Sequence, residues 1–132
     1  MTIVVTGATG HLGRLAIDHL IARGVSASDI VAAGRNPEKL AELDALGVRT
    51  AVIDFTAPAT LDAAFAGADT LVLVSGSEVG QRAVQHGNAI DAAKRAGISR
   101  IVYTSAPAAM TSALILAPEH KATEEALVAS GV

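Results

Sequence analysis

Short apolar runs alternate along the chain with longer stretches in which apolar positions recur every three or four residues, a pattern of strands joined by amphipathic helices. Thr2-Ile3-Val4-Val5-Thr6 reads as a first strand, and Leu12, Leu15, Ala16 and Leu20 follow at helical spacing until Gly24 closes the helix. Asp29-Ile30-Val31-Ala32-Ala33 supplies a second strand, and Asn36-Pro37 opens a helix running to about Leu46. Val48 to Ile53 forms the third strand, and a short helix starts at Pro58 and Thr60 and ends near Gly67. Thr70-Leu71-Val72-Leu73-Val74 reads as a strand buried on both faces. A long helix from about Val79 to Ala96 buries Ala83, Ile90 and Ala93, and Gly97 separates it from a fifth strand, Arg100-Ile101-Val102-Tyr103-Thr104. The last helix spans about Pro118 to Ala129. Five strands with helical crossovers predict one α/β domain over residues 1–132, a Rossmann-type doubly wound parallel sheet in the order 3-2-1-4-5.

Composition narrows this picture. The chain has 132 residues, 51% of them hydrophobic but only 2% aromatic, so Val, Ile, Leu and Ala must build the core, as suits helices packed on a parallel sheet. Ten basic and thirteen acidic residues give a net charge of −3 with no basic stripe, which argues against a nucleic-acid partner. The absence of cysteine removes disulfides and thiolate catalysis. No apolar run approaches the roughly 18 residues of a membrane span, and a cytoplasmic location is the expectation.

The candidate chemistry starts between the first strand and the first helix, at Gly7-Ala8-Thr9-Gly10-His11-Leu12-Gly13. Gly7 permits the turn out of the strand, Gly10 lets backbone approach a pyrophosphate, and Gly13 lets the helix pack closely. The helix amides, with Thr9, His11 and Leu12 beside them, then face phosphates. The alternative is a tight strand-to-helix turn with no ligand. The spacing is G-x-x-G-x-x-G rather than G-x-G-x-x-G, so its strand–helix context carries the argument. An NAD site would place an acid roughly 20 positions further on, at the end of the second strand. Gly34-Arg35-Asn36 stands there instead, and Arg35 offers a guanidinium to a 2′-phosphate unless it is simply a solvated charge. The expected cofactor is NADP(H).

Other candidates follow from topology. Asp54, just after the third strand, is placed to accept a hydrogen bond from an adenine amino group, or else to cap the turn near Thr56. Ser75 and Gly76, after the fourth strand, would line the nicotinamide side. Thr104 and Ser105, at the carboxyl end of the fifth, would touch nicotinamide ribose or substrate, with strand-end capping as the alternative. His120 is a candidate for assisting proton transfer, against a plain helix-surface histidine. His19 and His86 read as ordinary helix residues, and no H-x-x-x-H pair points to a metal. Asn88 in mid-helix suggests an unidentified hydrogen-bonding or packing reason. Residues 105 to 116 form an apolar, irregular stretch where a substrate loop would sit.

With the glycine loop, Arg35, Ser75-Gly76-Ser77-Glu78-Val79-Gly80-Gln81-Arg82, Ile101-Val102-Tyr103-Thr104-Ser105 and Glu119-His120 in order, the whole chain resembles the atypical short-chain dehydrogenases of the NmrA-like type. Among them it is most similar to the NADPH-dependent quinone oxidoreductase 2 branch. The resemblance implies flavin-independent hydride transfer from NADPH to a small-molecule quinone. Its alternatives are NADP(H) sensing without turnover, or a dinucleotide-binding fragment. Ordinary short-chain dehydrogenases pair a tyrosine with a lysine four residues later. Here Ala117 precedes Lys121 at that spacing, so the acid–base tyrosine is absent, and Tyr103, inside a strand, does not replace it. Such proteins usually continue into another strand and a smaller C-terminal substrate lobe, which is missing from this sequence. The fifth strand's free edge then makes a homodimer an expectation.

Overall fold

The elements are β1 Ile3–Val5, α1 His11–Ala22, β2 Ile30–Gly34, α2 Pro37–Asp44, β3 Arg49–Val52, α3 Pro58–Phe65, β4 Thr70–Leu73, α4 Arg82–Ala96, β5 Arg100–Tyr103 and α5 Ala117–Ser130. A 3-10 turn, Ala27–Asp29, leads into β2. The structure, a computed structural model, describes residues 2–74, 82–104 and 117–131, and the side chains of 82, 83 and 117–121 lie outside that description.

The five strands form one parallel sheet in the order β3-β2-β1-β4-β5, as the alternation of apolar runs and helices predicts. Val4 of β1 pairs with Val31 of β2 on one side and Leu71 of β4 on the other. Successive strand side chains point to opposite faces, so each strand feeds two cores. Ile3, Val5, Ile30 and Ala32 pack with Ile17, Leu40 and Leu43 under α1 and α2. Val4, Val31, Leu71 and Leu73 pack with Leu61, Phe65, Ile90 and Ala93 under α3 and α4. No described helix is long and apolar enough to cross a membrane.

Strands are shorter by a residue or so at their ends than the apolar runs suggest, and β2 is shifted to end at Gly34. Two larger differences have physical causes. On α1 the buried positions are Gly13 and Ile17, while Leu12 and Leu15 are 51% and 40% exposed. The helix thus turns Leu12 and Leu15 outward while Ala16 and Leu20 still pack on the core, because Gly13 must face the Gly7 backbone it nearly touches. His86 is fully buried rather than an ordinary helix residue, since α5 covers that face of α4. Its Nδ1 and the buried Thr123 Oγ1 form a hydrogen bond of 2.9 Å. The Tyr103 ring meets its imidazole edge-on at 5.3 Å between centroids. Ile90 and Ala93 are buried as expected, whereas the Ala83 side chain lies outside the described set. Asn88 has the partner that its mid-helix position demands: its Nδ2 donates to the Phe55 carbonyl at 2.7 Å.

These buried polar contacts set a test. His86→Leu takes the imidazole partner from the buried Thr123 hydroxyl and is expected to lower the unfolding free energy by about 1–3 kcal/mol, read from urea unfolding. Val84→Ala, at a side chain 63% exposed on the same helix, should change it by less than about 0.5 kcal/mol.

Candidate functional site

The carboxyl ends of the strands converge where the chain order reverses between β1 and β4, the place where open α/β sheets hold ligands. Thr6 marks that point. It is fully buried, its hydroxyl accepts the Val74 N–H at 3.0 Å, and it is 3.4 Å from the Val72 carbonyl. The hydroxyl therefore carries the β1–β4 connection past the last strand pair, Val5 with Val72. A hydroxyl residue ending an apolar strand was the signal for Thr6, which motif reasoning passes over.

The glycine loop follows. Gly7 adopts φ +62°, in the left-handed region, and a Cβ there would stand 3.2 Å from Val74 Cβ. Gly10 donates its amide to the Gly7 carbonyl at 3.0 Å, and Ala8 donates to the Ala33 carbonyl at 3.1 Å. A Cβ on Gly13 would lie 2.2 Å from the Gly7 carbonyl oxygen, so only glycine lets α1 come this close. The Thr9 side chain lies over the end of β2, where a Cβ on Gly34 would be 3.0 Å from its Cγ2.

The two neighbouring helices begin differently. At α2, Asn36 Oδ1 accepts the amides of Glu38 (3.0 Å) and Lys39 (3.3 Å), and Glu38 adds a negative charge to the first turn. At α1 the N-cap is Gly10, with no side-chain cap bond and no acid in the first turn. Helix geometry leaves the first-turn amides without intrahelical acceptors and positively polarised. His11 and Leu12 sit exposed on that turn.

Beside it lies a cavity of about 400 Å³, bounded by Thr9, Gly10, His11 and Arg14 on one side and by Lys39 and Glu42 of α2 on the other. The exposed Leu15 forms part of its wall. Arg14 is held by Asp18, Nε to Oδ1 at 3.3 Å, one turn along α1. Arg35 is exposed immediately beyond β2, at the mouth of the α2 turn. Arg14 and Lys39 add cations to this region that the loop motif did not single out; their signal is one residue past Gly13 and four past Arg35 respectively. A polar cradle closed to Cβ atoms and flanked by cations fits a dinucleotide's phosphates. A second hollow of about 450 Å³ lies between β3 and α3, and its lining of alanines with Val52 and Thr60 offers no charge.

Asp54 lies at the end of β3 on the same edge of the sheet. Its Oδ1 accepts the Thr56 amide at 2.8 Å and the Thr56 hydroxyl at 2.7 Å, so the turn-capping role is realised. The Thr56 hydroxyl above all, then its amide, hold the carboxyl below its ordinary value of 3.8 against some desolvation, and the nearby Arg35 charge acts in the same sense. Thr104 follows β5 and donates its amide to the Leu73 carbonyl at 3.1 Å. The structure thus brings Gly7, Thr9, Gly10, His11, Leu12, Gly13, Arg35 and Asp54 to the β1–β3 half of the carboxyl edge, with Thr104 on the β4–β5 half. Ser75, Gly76 and Ser105 lie outside the described residues, as does the side chain of His120 on α5. Among the described residues no three His, Cys, Asp or Glu side chains gather as a metal site requires.

Comparison with known proteins agrees with this geometry. A family profile described as NAD(P)H-binding matches residues 7–131. Quinone oxidoreductase 2 of Escherichia coli is 49% identical over 98% of this chain and 45% of its own length. An NmrA-like family domain-containing oxidoreductase of Aspergillus flavus is 32% identical over 100% of this chain and 45% of its own. Among solved structures, a triphenylmethane reductase of Citrobacter sp. superposes with a TM-score of 0.95 at 41% identity, covering 100% of this chain and 46% of that one. The chain therefore spans a little under half the length of these relatives.

The Asp54 turn has a measurable signature. Because its carboxyl titrates below the ordinary value when folded, its stabilisation is present above that value and is lost as pH falls through the lowered one. Thr56→Val removes the hydroxyl donor and is expected to move the Asp54 midpoint upward, toward 3.8, in a carboxyl NMR titration. An unmoved midpoint would contradict the assignment of the Thr56 hydroxyl as its main cause.

Proposed function

The chain belongs to the NAD(P)H-binding family whose profile it matches over residues 7–131, and from that premise we propose that it serves NADPH-dependent, flavin-independent reduction of a quinone by hydride transfer. The observation that carries the cofactor half of the reading is the uncapped, acid-free start of α1 beside a cavity with Arg14 and Lys39 in its wall and Arg35 beyond β2. An anion completes that arrangement where an acid-bearing NAD site would repel a 2′-phosphate. Support for the cofactor also comes from relatives of known structure, the Escherichia coli enzyme being described as complexed with NADPH and the Citrobacter one with NADP(H).

In this reading the first-turn amides of α1 bind the pyrophosphate, with Thr9, His11 and Leu12 around them. Arg35 would bind the 2′-phosphate, and the Asp54 carboxylate, one oxygen of which is engaged by Thr56, would accept from the adenine amino group. Ser75 and Gly76 line the nicotinamide side. When bound, NADPH supplies the hydride. Thr104 and Ser105 position the nicotinamide ribose or the acceptor, and His120 or water delivers the proton that completes hydroquinone formation. The quinone is the substrate named for one relative, and triphenylmethane dyes for another. Both are conjugated hydride acceptors, whose reduction does not require the tyrosine replaced here by Ala117.

Calorimetry with NADPH and NADH, followed by NADPH oxidation with a small quinone, tests the reading. NADPH is expected to bind more tightly than NADH, and Arg35→Asp should weaken NADPH about 10- to 100-fold, the worth of a hydrogen bond to a charged group, while leaving NADH within about threefold. Equal affinity of the unmodified protein for the two cofactors would overturn the role of Arg35. Binding without quinone turnover would select cofactor sensing over catalysis.

A further inference from the structure

His11 is the first residue of α1, exposed, and a wall of the cavity beside the glycine loop. Arg14 stands three residues on, a spacing that puts both on one face of the helix. We propose that His11 couples dinucleotide affinity to pH: its imidazolium is a switchable cation in the phosphate cradle, so the protein binds NADPH more tightly as pH falls through the neutral range. This inference rests on the cofactor reading above and adds regulation of that site.

The charges around His11 make the effect specific to it. Arg14 on α1 and Lys39 on α2 face the same cavity. Arg14 is also engaged with Asp18. Glu42 of α2 is the acid in the cavity wall. Arg35 lies beyond, near Asp54, whose carboxyl is held below its ordinary value. Histidine is the side chain whose charge changes in the neutral range, so within this wall only His11 alters the local field between about pH 6 and 8. The uncapped first turn already favours an anion at this position. Proton and phosphate thus favour each other's binding, and by reciprocity each must raise the affinity for the other.

The test compares the unmodified protein with His11→Gln and His11→Arg, titrated with NADPH by calorimetry between pH 6 and 8 in two buffers of different ionisation enthalpy. The 2′-phosphate of the ligand itself changes charge near pH 6, and His19, His86 and His120 are common to all three proteins. Both contributions cancel in the comparison. From pH 8 to 6 the unmodified protein should gain about three- to tenfold more affinity than His11→Gln and take up a fraction of a proton on binding that the variant does not. His11→Arg should bind more tightly than the unmodified protein at pH 8, approach it at pH 6, and lack the histidine-dependent step. Identical pH profiles for the unmodified protein and His11→Gln would overturn the proposal while leaving the cofactor reading in place. No NADPH binding by the unmodified protein at any pH would overturn both.

Discussion

The close approach of α1 to the end of β1 governs this molecule. A Cβ on Gly13 would fall 2.2 Å from the Gly7 carbonyl oxygen, a separation no side chain tolerates, so the helix can start where it does only because position 13 carries no side chain. That single contact sets where the first-turn amides point. It also sets the rotation of α1, placing Gly13 and Ile17 inward, and leaves Leu15 to wall the neighbouring cavity. The site is thus a consequence of packing a helix tightly on a strand.

The same contact explains what the sequence could and could not disclose. Strand order followed from local information, because runs such as Thr70-Leu71-Val72-Leu73 declare buried strands and the helical stretches between them force parallel crossovers. Of the apolar stripe on α1, Ala16 and Leu20 pack against the core, whereas Leu12 and Leu15 do not. Hydrophobicity ranks Leu12 and Leu15 above Gly13, but the helix is oriented by the residue with no side chain. The apolar pattern does not weight a glycine, and it was the loop motif that marked Gly13 as the point of close packing.

Non-local pairings were the other hidden part. The burial of His86 depends on Thr123, which lies 37 residues away on α5, and nothing in the α4 periodicity announces a second helix covering that face. Asn88 was legible as an anomaly without its partner, since the Phe55 carbonyl it serves lies 33 residues earlier. The turn-capping role of Asp54 was legible from the sequence. The nearby Thr56 allowed the turn cap to be anticipated, and that cap leaves one carboxyl oxygen for other company.

The Asn88 bond has a mechanical meaning for the two halves of the sheet. It fastens α4, which serves β4 and β5, to the turn that also carries Asp54 after β3. Two residues earlier on α4, His86 fastens α5. A displacement of the turn after β3 would therefore pull on a helix that in turn grips α5, and the carboxyl rim would behave as a braced frame whose opposite corners move together.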